Sequence, residues 1–230
     1  MAILLKNGSF FFHVPKTGGT WVTGVLRKAG CVVGQLGFKH SFPAELGCSP
    51  RALLHPSQFR DRLRLKYGAT TPISGYCFLR DPLSWYKSWY FYQVRRGWTK
   101  FGSCSWDDPH PLSCLNSVSD YAPDSFDQFL DIVCEKKHQF LSLMYLKYLD
   151  RNYAVALDYN NLVDETKALL VNAFALTEDR AEILLDSPRK NASDSESLIL
   201  STSQVEMIKH NESIYFNCNK LFRSELGISR

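Results

Sequence analysis

The chain has 230 residues, of which 45% are hydrophobic and 22% are charged, and its formal net charge is +4. These ordinary fractions exclude extended disorder, and so small a positive charge does not indicate a protein that coats nucleic acid. A chain of this length can bury one sizeable core, so we expect one domain spanning residues 1–230.

The chain contains seven cysteines, an odd number without a C-x-x-C pair, which does not favour a zinc site or a disulfide scaffold. Cys104 and Cys114 bracket a loop and are the candidates for a bridge in an oxidising compartment. The N-terminal run MAILLKNG is too short for a signal peptide, and no apolar stretch approaches the ~20 residues of a membrane span. We therefore expect a cytoplasmic protein, although an anchor removed from the natural protein would leave no trace in this sequence.

The first functional signal is the stretch FFFHVPKTGGTW at residues 10–21. Strand-forming residues are followed by a proline and a glycine pair, and apolar residues then recur at helical spacing from Thr20 to Lys28. A loop of this kind directs the N–H groups and the positive dipole end of the new helix toward one point. Lys16 adds a positive charge there, so the stretch predicts a site for phosphate or a similar oxyanion.

Two other interpretations of this stretch are a simple strand-to-helix turn and a nucleotide-triphosphate P-loop. The P-loop pattern places its lysine after the glycines, whereas Lys16 precedes them. The run PKTGGTW closely resembles the 5′-phosphosulfate loop of the sulfotransferases, which use 3′-phosphoadenosine 5′-phosphosulfate (PAPS). This resemblance implies that the 5′-phosphate and sulfuryl group are held by Lys16, Thr17, Gly18, Gly19 and Thr20. It also implies that Trp21 stacks on the adenine.

A second strand is predicted over Cys31–Phe38 and is followed by the run KHSFP. A histidine at the C-terminal end of a strand lies where open α/β sheets place their ligands. The run is similar to the segment that carries the catalytic histidine in many sulfotransferases, although its proline is one residue further away. The resemblance implies that His40 is the catalytic base, with His55 and His110 as alternatives.

The basic residues between Ser49 and Tyr67 predict a solvated helix face, or a contact with an anionic acceptor such as a sulfated sugar. A third strand, Ile73–Leu79, leads directly to Arg80, and a helix is predicted over Leu83–Arg95. Arg80 and Ser88 are eight residues apart, the spacing of the arginine and serine that grip the 3′-phosphate in PAPS enzymes. The resemblance therefore assigns these two residues to the 3′-phosphate.

Residues 95–119 break the helical periodicity, so we predict a long loop there. Long loops in a compact domain often have a function, and our hypothesis is that this one is a lid over the acceptor. Within it, Asp107 and Asp108 either cap a turn or contact the acceptor. Further helices are predicted over Phe126–Cys134 and His138–Leu149, and a fourth strand over Tyr153–Leu157. The remaining predicted helices run from about Leu162 to Leu176, over Thr177–Leu185 and over Gln204–Leu226.

Arg189 and Lys190 lie where cytosolic sulfotransferases carry an Arg-Lys-Gly loop on the 3′-phosphate, although Asn191 replaces the glycine. Asn191-Ala-Ser and Asn211-Glu-Ser fit the glycosylation pattern, which often arises by chance.

The element order predicts one α/β domain with three layers, in which a mainly parallel sheet is covered on both faces. The resemblance implies a P-loop NTPase-like fold and a PAPS-dependent sulfotransferase. Such an enzyme transfers a sulfuryl group to a hydroxyl or amine of a carbohydrate or small-molecule acceptor and releases adenosine 3′,5′-bisphosphate (PAP), without a metal. The alternatives are a P-loop kinase and a non-catalytic module that binds a nucleotide or glycan.

Overall fold

The computed structural model describes residues 2–37, 40–43, 75–100, 106, 111–149, 154–188 and 198–217. The chain divides into two compact units. The first comprises Met1–Leu79, Lys147–Lys190 and Arg223–Arg230, and the second comprises Arg80–Leu146 and Asn191–Phe222. The interpretation of residues 1–230 as a single domain stays a prediction.

A five-stranded sheet forms the centre of the first unit. Its strands are β1 (Ala2–Leu5), β2 (Phe10–Phe12), β3 (Val32–Leu36), β4 (Gly75–Leu79) and β5 (Ala154–Asp158). Their order is β3-β1-β2-β4-β5. Strands β2, β4 and β5 run parallel, whereas β1 pairs antiparallel with both β2 and β3. The predicted α/β class is confirmed. The β2-β4-β5 half of the sheet pairs in parallel and the β3-β1-β2 half pairs antiparallel, but β3 runs in the same direction as β2, β4 and β5, so β1 is the one reversed strand among the five described.

The antiparallel half exists because β1 and β2 form a hairpin that the sequence interpretation missed. The main-chain N–H groups of Leu5 and Gly8 donate to Ser9 and Leu5 respectively, and Gly8 takes the left-handed conformation with φ of 82°. Asn7 stabilises the turn, because its side-chain oxygen accepts from the main chain of Ser9 at 3.1 Å. An Asn-Gly pair between two apolar runs is a strong hairpin signal.

Three helices of the first unit pack on one face of this sheet. They are α1 (Gly19–Lys28), α6 (Leu162–Phe174) and α7 (Glu178–Leu185). Trp21, Val25 and Leu26 of α1 share a buried cluster with Phe11 and Leu170. Since every residue of β1 and β2 is buried, both faces of the sheet are covered at these strands.

The second unit is helical. It contains α2 (Pro82–Arg95), α3 (Pro111–Ser117), α4 (Phe126–Lys136), most of α5 (Phe140–Tyr148), α8 (Thr202–Asn211) and α9 (Ser213–Asn217). Its core is aromatic: the ring of Trp89 packs on Phe140 and Phe129, each at a centroid distance of 5.0 Å. The prediction of a loop throughout residues 95–119 was wrong for α3, which begins at a proline, a residue that suits the first turn of a helix.

Several sequence-based predictions lie outside the described residues. They concern the basic segment 49–67, His55, His110, Asp107, Asp108, Cys104, Arg189, Lys190 and Asn191. Cys114, the proposed partner of Cys104, is buried, and its thiol donates to the main-chain oxygen of Trp106 at 3.7 Å.

Candidate functional site

The stretch that is predicted to bind an anion folds as a strand, a loop and a helix. Strand β2 ends at Phe12, residues 13–18 form the loop, and α1 begins at Gly19 with Gly18 as its N-cap. No acidic residue occupies the first turn of α1, so this turn itself supplies no carboxylate that would offset the positive end of the helix dipole. The loop therefore has the polarity that favours an anion.

Both glycines are required by the surrounding structure. Gly18 has φ of 72°, and a Cβ atom at this position would lie 2.8 Å from a methyl carbon of Leu162. At Gly19 a Cβ atom would lie 2.3 Å from Cδ2 of His13. The glycine pair thus lets the start of α1 approach both the His13 ring and α6.

Lys16 and Thr17 have different roles in the loop. Lys16 is half-buried and takes a left-handed φ of 64°, which is uncommon for a residue with a side chain. The Thr17 hydroxyl donates its single hydrogen to the carbonyl of Val14 at 2.9 Å. A contact from Thr17 to an anion would therefore come from its main-chain N–H group.

His40 is held next to the start of this loop. Its side chain is buried, and its Nδ1 atom lies 2.9 Å from the main-chain oxygen of His13. Because a carbonyl oxygen can only accept, Nδ1 carries the hydrogen, and the neutral ring has its lone pair on Nε2. The Tyr148 hydroxyl donates to the main-chain oxygen of His40 at 2.6 Å. The arrangement fixes one tautomer, in which Nε2 is able to accept a proton.

His13 is a residue that sequence reasoning missed. Its buried ring contacts His40 edge to face at a centroid distance of 4.9 Å and also packs against Gly19. His13 therefore connects the candidate base to the first residue of α1. A single histidine after an aromatic run gives no signal for this role, since such residues are usually structural.

Trp21 lies within the core of the first unit. Its side chain is 7% exposed, and its indole N–H donates to the main-chain oxygen of Ser187 at 2.9 Å. Lys28, two turns along α1, donates to the hydroxyl of the same serine at 2.7 Å. These contacts join α1 to the segment after α7, and adenine stacking by Trp21 stays a prediction.

Arg80 and Ser88 belong to the second unit. Arg80 is the residue after β4 and is buried, while Ser88 lies in α2 and is also buried. The Arg80 Nε atom donates to the Ser84 hydroxyl at 2.9 Å. The loop residues and His40 thus lie together in the first unit, and the two residues predicted for the 3′-phosphate lie in the second.

Comparisons with known proteins return no match among protein-family models, curated proteins or solved structures. Across the described part of the chain, no three His, Cys, Asp or Glu side chains converge as metal ligands. No described helix is long and apolar enough to cross a membrane.

Proposed function

We propose that this protein is a PAPS-dependent sulfotransferase that transfers a sulfuryl group to a hydroxyl or amine of a carbohydrate or small-molecule acceptor. The observation that carries the proposal is the position of His40. A histidine 24 residues beyond Lys16 in the sequence is bonded to the carbonyl of His13, where the anion loop starts. An anion site with a tautomer-fixed imidazole beside it suits transfer of an anionic group to an acceptor that must lose a proton.

In the proposed reaction the acceptor oxygen or nitrogen attacks the sulfur of PAPS, and the bond between sulfur and the 5′-phosphate oxygen breaks. The acceptor proton passes to Nε2 of His40, and PAP leaves. Lys16 and the main-chain N–H groups at the start of α1 stabilise the negative charge that develops on the sulfuryl and leaving oxygens. Sulfuryl transfer needs the same in-line positioning as phosphoryl transfer.

The remaining assignments come from the resemblance of the sequence to the sulfotransferases. Thr17, Gly18, Gly19 and Thr20 contact the 5′ end of PAPS, and Trp21 contacts its adenine. Arg80 and Ser88 contact the 3′-phosphate. The 3′-phosphate is present in PAPS and absent from ATP, so these two residues favour PAPS over ATP in the proposed reaction.

A turnover assay with labelled PAPS and a panel of sugars, phenols and amines tests the proposal. With an accepted substrate, His40→Ala should lower turnover by ~10²–10⁴-fold and leave PAP affinity nearly unchanged, because the base acts only on the acceptor. The turnover of the wild type should also fall at acidic pH as the imidazole gains a proton, and this fall should vanish in the variant.

Lys16→Ala is the matched comparison for His40→Ala. The Lys16 side chain interacts with negative charge that grows in the transition state. Lys16→Ala should therefore lower turnover more than it weakens PAP binding. Near-normal turnover and an unchanged pH profile in His40→Ala would contradict the assignment of the base.

A further inference from the structure

The Tyr145 hydroxyl binds both polar main-chain groups of Arg80. It accepts from the Arg80 N–H at 3.1 Å and donates to the Arg80 carbonyl at 2.7 Å. The side chain of Tyr145 is fully buried, and burial raises its pKa well above 10. The phenol therefore keeps the hydrogen that it donates, and the pair of bonds fixes the main chain of Arg80 in one orientation.

Arg80 lies between two regular elements. The β4–β5 ladder ends at the pair Leu79 and Asp158, and α2 starts at Pro82. Arg80 thus belongs to neither the strand nor the helix. Tyr145, 65 residues further along the chain, supplies a donor and an acceptor for the main-chain groups of Arg80.

The side chain of Arg80 is also held. Its Nε atom donates to the hydroxyl of Ser84, and that hydroxyl donates to the carboxylate of Asp81. Asp81 is in turn fixed as the N-cap of α2, since it accepts from the main-chain N–H of Ser84 at 2.9 Å. Tyr145 and Ser84 therefore restrain Arg80 at its two ends, the main chain and the guanidinium.

We propose that Tyr145 is a positioning residue for 3′-phosphate recognition, acting through the main chain of Arg80. The inference rests on the proposed function, since it takes Arg80 as the residue that binds this phosphate. A guanidinium held before the ligand arrives loses less conformational freedom on binding. Restraint of one long side chain is worth about two- to tenfold in affinity.

The test compares the affinities of PAP and adenosine 5′-monophosphate, which lacks the 3′-phosphate, by titration calorimetry. Tyr145→Phe removes only the hydroxyl and should weaken PAP by about two- to tenfold while leaving the monophosphate unchanged. Arg80→Ala should weaken PAP by roughly ten- to more than a hundredfold. Adding Tyr145→Phe to Arg80→Ala should cause no further loss, because Tyr145 acts through Arg80.

Tyr148→Phe is the matched control, since it removes another buried tyrosine hydroxyl that donates to a main-chain oxygen, that of His40. It should leave the ratio of PAP to monophosphate affinity unchanged. Ser84→Ala removes the restraint on the guanidinium and should reproduce the selective loss, which keeps the test valid if Tyr145→Phe does not fold.

Equal weakening of both ligands by Tyr145→Phe and Ser84→Ala would overturn the inference and leave only a structural role. Unchanged PAP affinity in both variants would overturn it as well. Wild-type protein that binds PAP no more tightly than the monophosphate would overturn the proposed function itself, which makes the two failures distinguishable.

Discussion

Gly19 has no room for a side chain, because the ring of His13 occupies the space that a Cβ atom would need. The methyl of Gly19→Ala would lie 2.3 Å from Cδ2 and 2.7 Å from Nε2 of His13. The His13 ring and Gly19 are both buried, so the ring or the start of α1 must move to accommodate the methyl group. We expect Gly19→Ala to lower the free energy of unfolding by about 1–3 kcal/mol, measured by urea denaturation.

Gly24→Ala provides the control within the same helix, since nothing lies within 4 Å of the position of its Cβ atom. An alanine inside a helix is more favourable than a glycine, so Gly24→Ala should stabilise the protein by about 0.5–1 kcal/mol. A Gly19→Ala protein as stable as Gly24→Ala would show that His13 does not confine the start of α1.

The placement of single residues could be predicted from the sequence only where neighbouring residues determine it. Lys16 and the glycines form a contiguous run, so the sequence could indicate the loop between β2 and α1, and anion binding there stays a prediction. His13 could not be identified, because its contact with His40 depends on how residues 27 positions apart meet. The bonds of Tyr145 and Tyr148 join residues 65 and 108 positions apart, and no local pattern encodes them.

Helix α5 begins on a carboxylate that comes from a distant part of the chain. Glu212 lies between α8 and α9 and is fully buried. Its oxygens accept from the main-chain N–H groups of Leu141 and Ser142 at 3.1 and 2.8 Å. They also accept from the hydroxyls of Ser142 and Tyr86 at 2.6 and 2.5 Å. Glu212 thus supplies hydrogen-bond acceptors for the main-chain N–H groups at the start of α5, and it links this helix to α2 and α8.

Glu212→Gln should destabilise the protein by about 2–3 kcal/mol, because the new amide group would face donors that now bind a carboxylate oxygen. Urea denaturation measures the change. The control is Glu206→Gln in α8, where an exposed carboxylate pairs with Lys209 at 3.2 Å, and its cost should be about 0.5 kcal/mol or less. Equal effects of the two variants would contradict the role of Glu212.

The destabilisation by Glu212→Gln should also depend on pH. Burial raises the pKa of Glu212 from its ordinary 4.5, and hydrogen bonds from Ser142 and Tyr86 act against that rise. An acid with a raised folded-state pKa contributes stability that is fully present below its unfolded pKa and is lost as the pH rises through the folded value. Glutamine does not titrate. The difference in free energy of unfolding between the wild type and Glu212→Gln should therefore be larger near pH 4.5 than at pH 7. A difference in the free energy of unfolding that stays constant across this pH range would contradict the expectation.

Regular elements were predicted well wherever one local signal dominated. Helix α1 and strand β4 lie within the predicted ranges or one residue beyond them, and Ser125 caps α4 as expected by accepting from Gln128. Strand β1 is absent from the predicted elements, because its four apolar residues are considered only as part of a possible signal peptide. Strand β3 runs in the same direction as β2, but its place at the edge of the sheet depends on its pairing with the reversed strand β1, so that place could not follow from the apolar pattern of β3 itself.

Binding of PAP should stabilise the whole protein. A ligand present at about 100 times its dissociation constant contributes about 2.7 kcal/mol to the free energy of unfolding, which raises Tm by roughly 5–10 °C for a chain of this size. Thermal denaturation with PAP and with ATP at equal concentrations measures the effect. A larger shift with ATP would favour the kinase alternative over the proposed sulfotransferase.

The sequon Asn211-Glu212-Ser213 lies inside the second unit. The Asn211 side chain is 2% exposed and donates to Tyr86 and Glu212. A sugar on this nitrogen would replace one of the two donated hydrogens and would need space at a side chain that is buried, so the folded protein does not present the motif for glycosylation.

The hairpin of β1 and β2 also determines the order in which the sheet is able to assemble during synthesis. Strands β1, β2 and β3, together with α1, all lie within residues 2–36, so this antiparallel half needs no later segment for its pairing. Strands β4 and β5 begin at Gly75 and Ala154. Their parallel pairing brings together residues that are far apart in the sequence, and such contacts form slowly. Because the N-terminal part of a chain leaves the ribosome first, the loop of residues 13–18 can form on a local scaffold before the rest of the sheet has been translated.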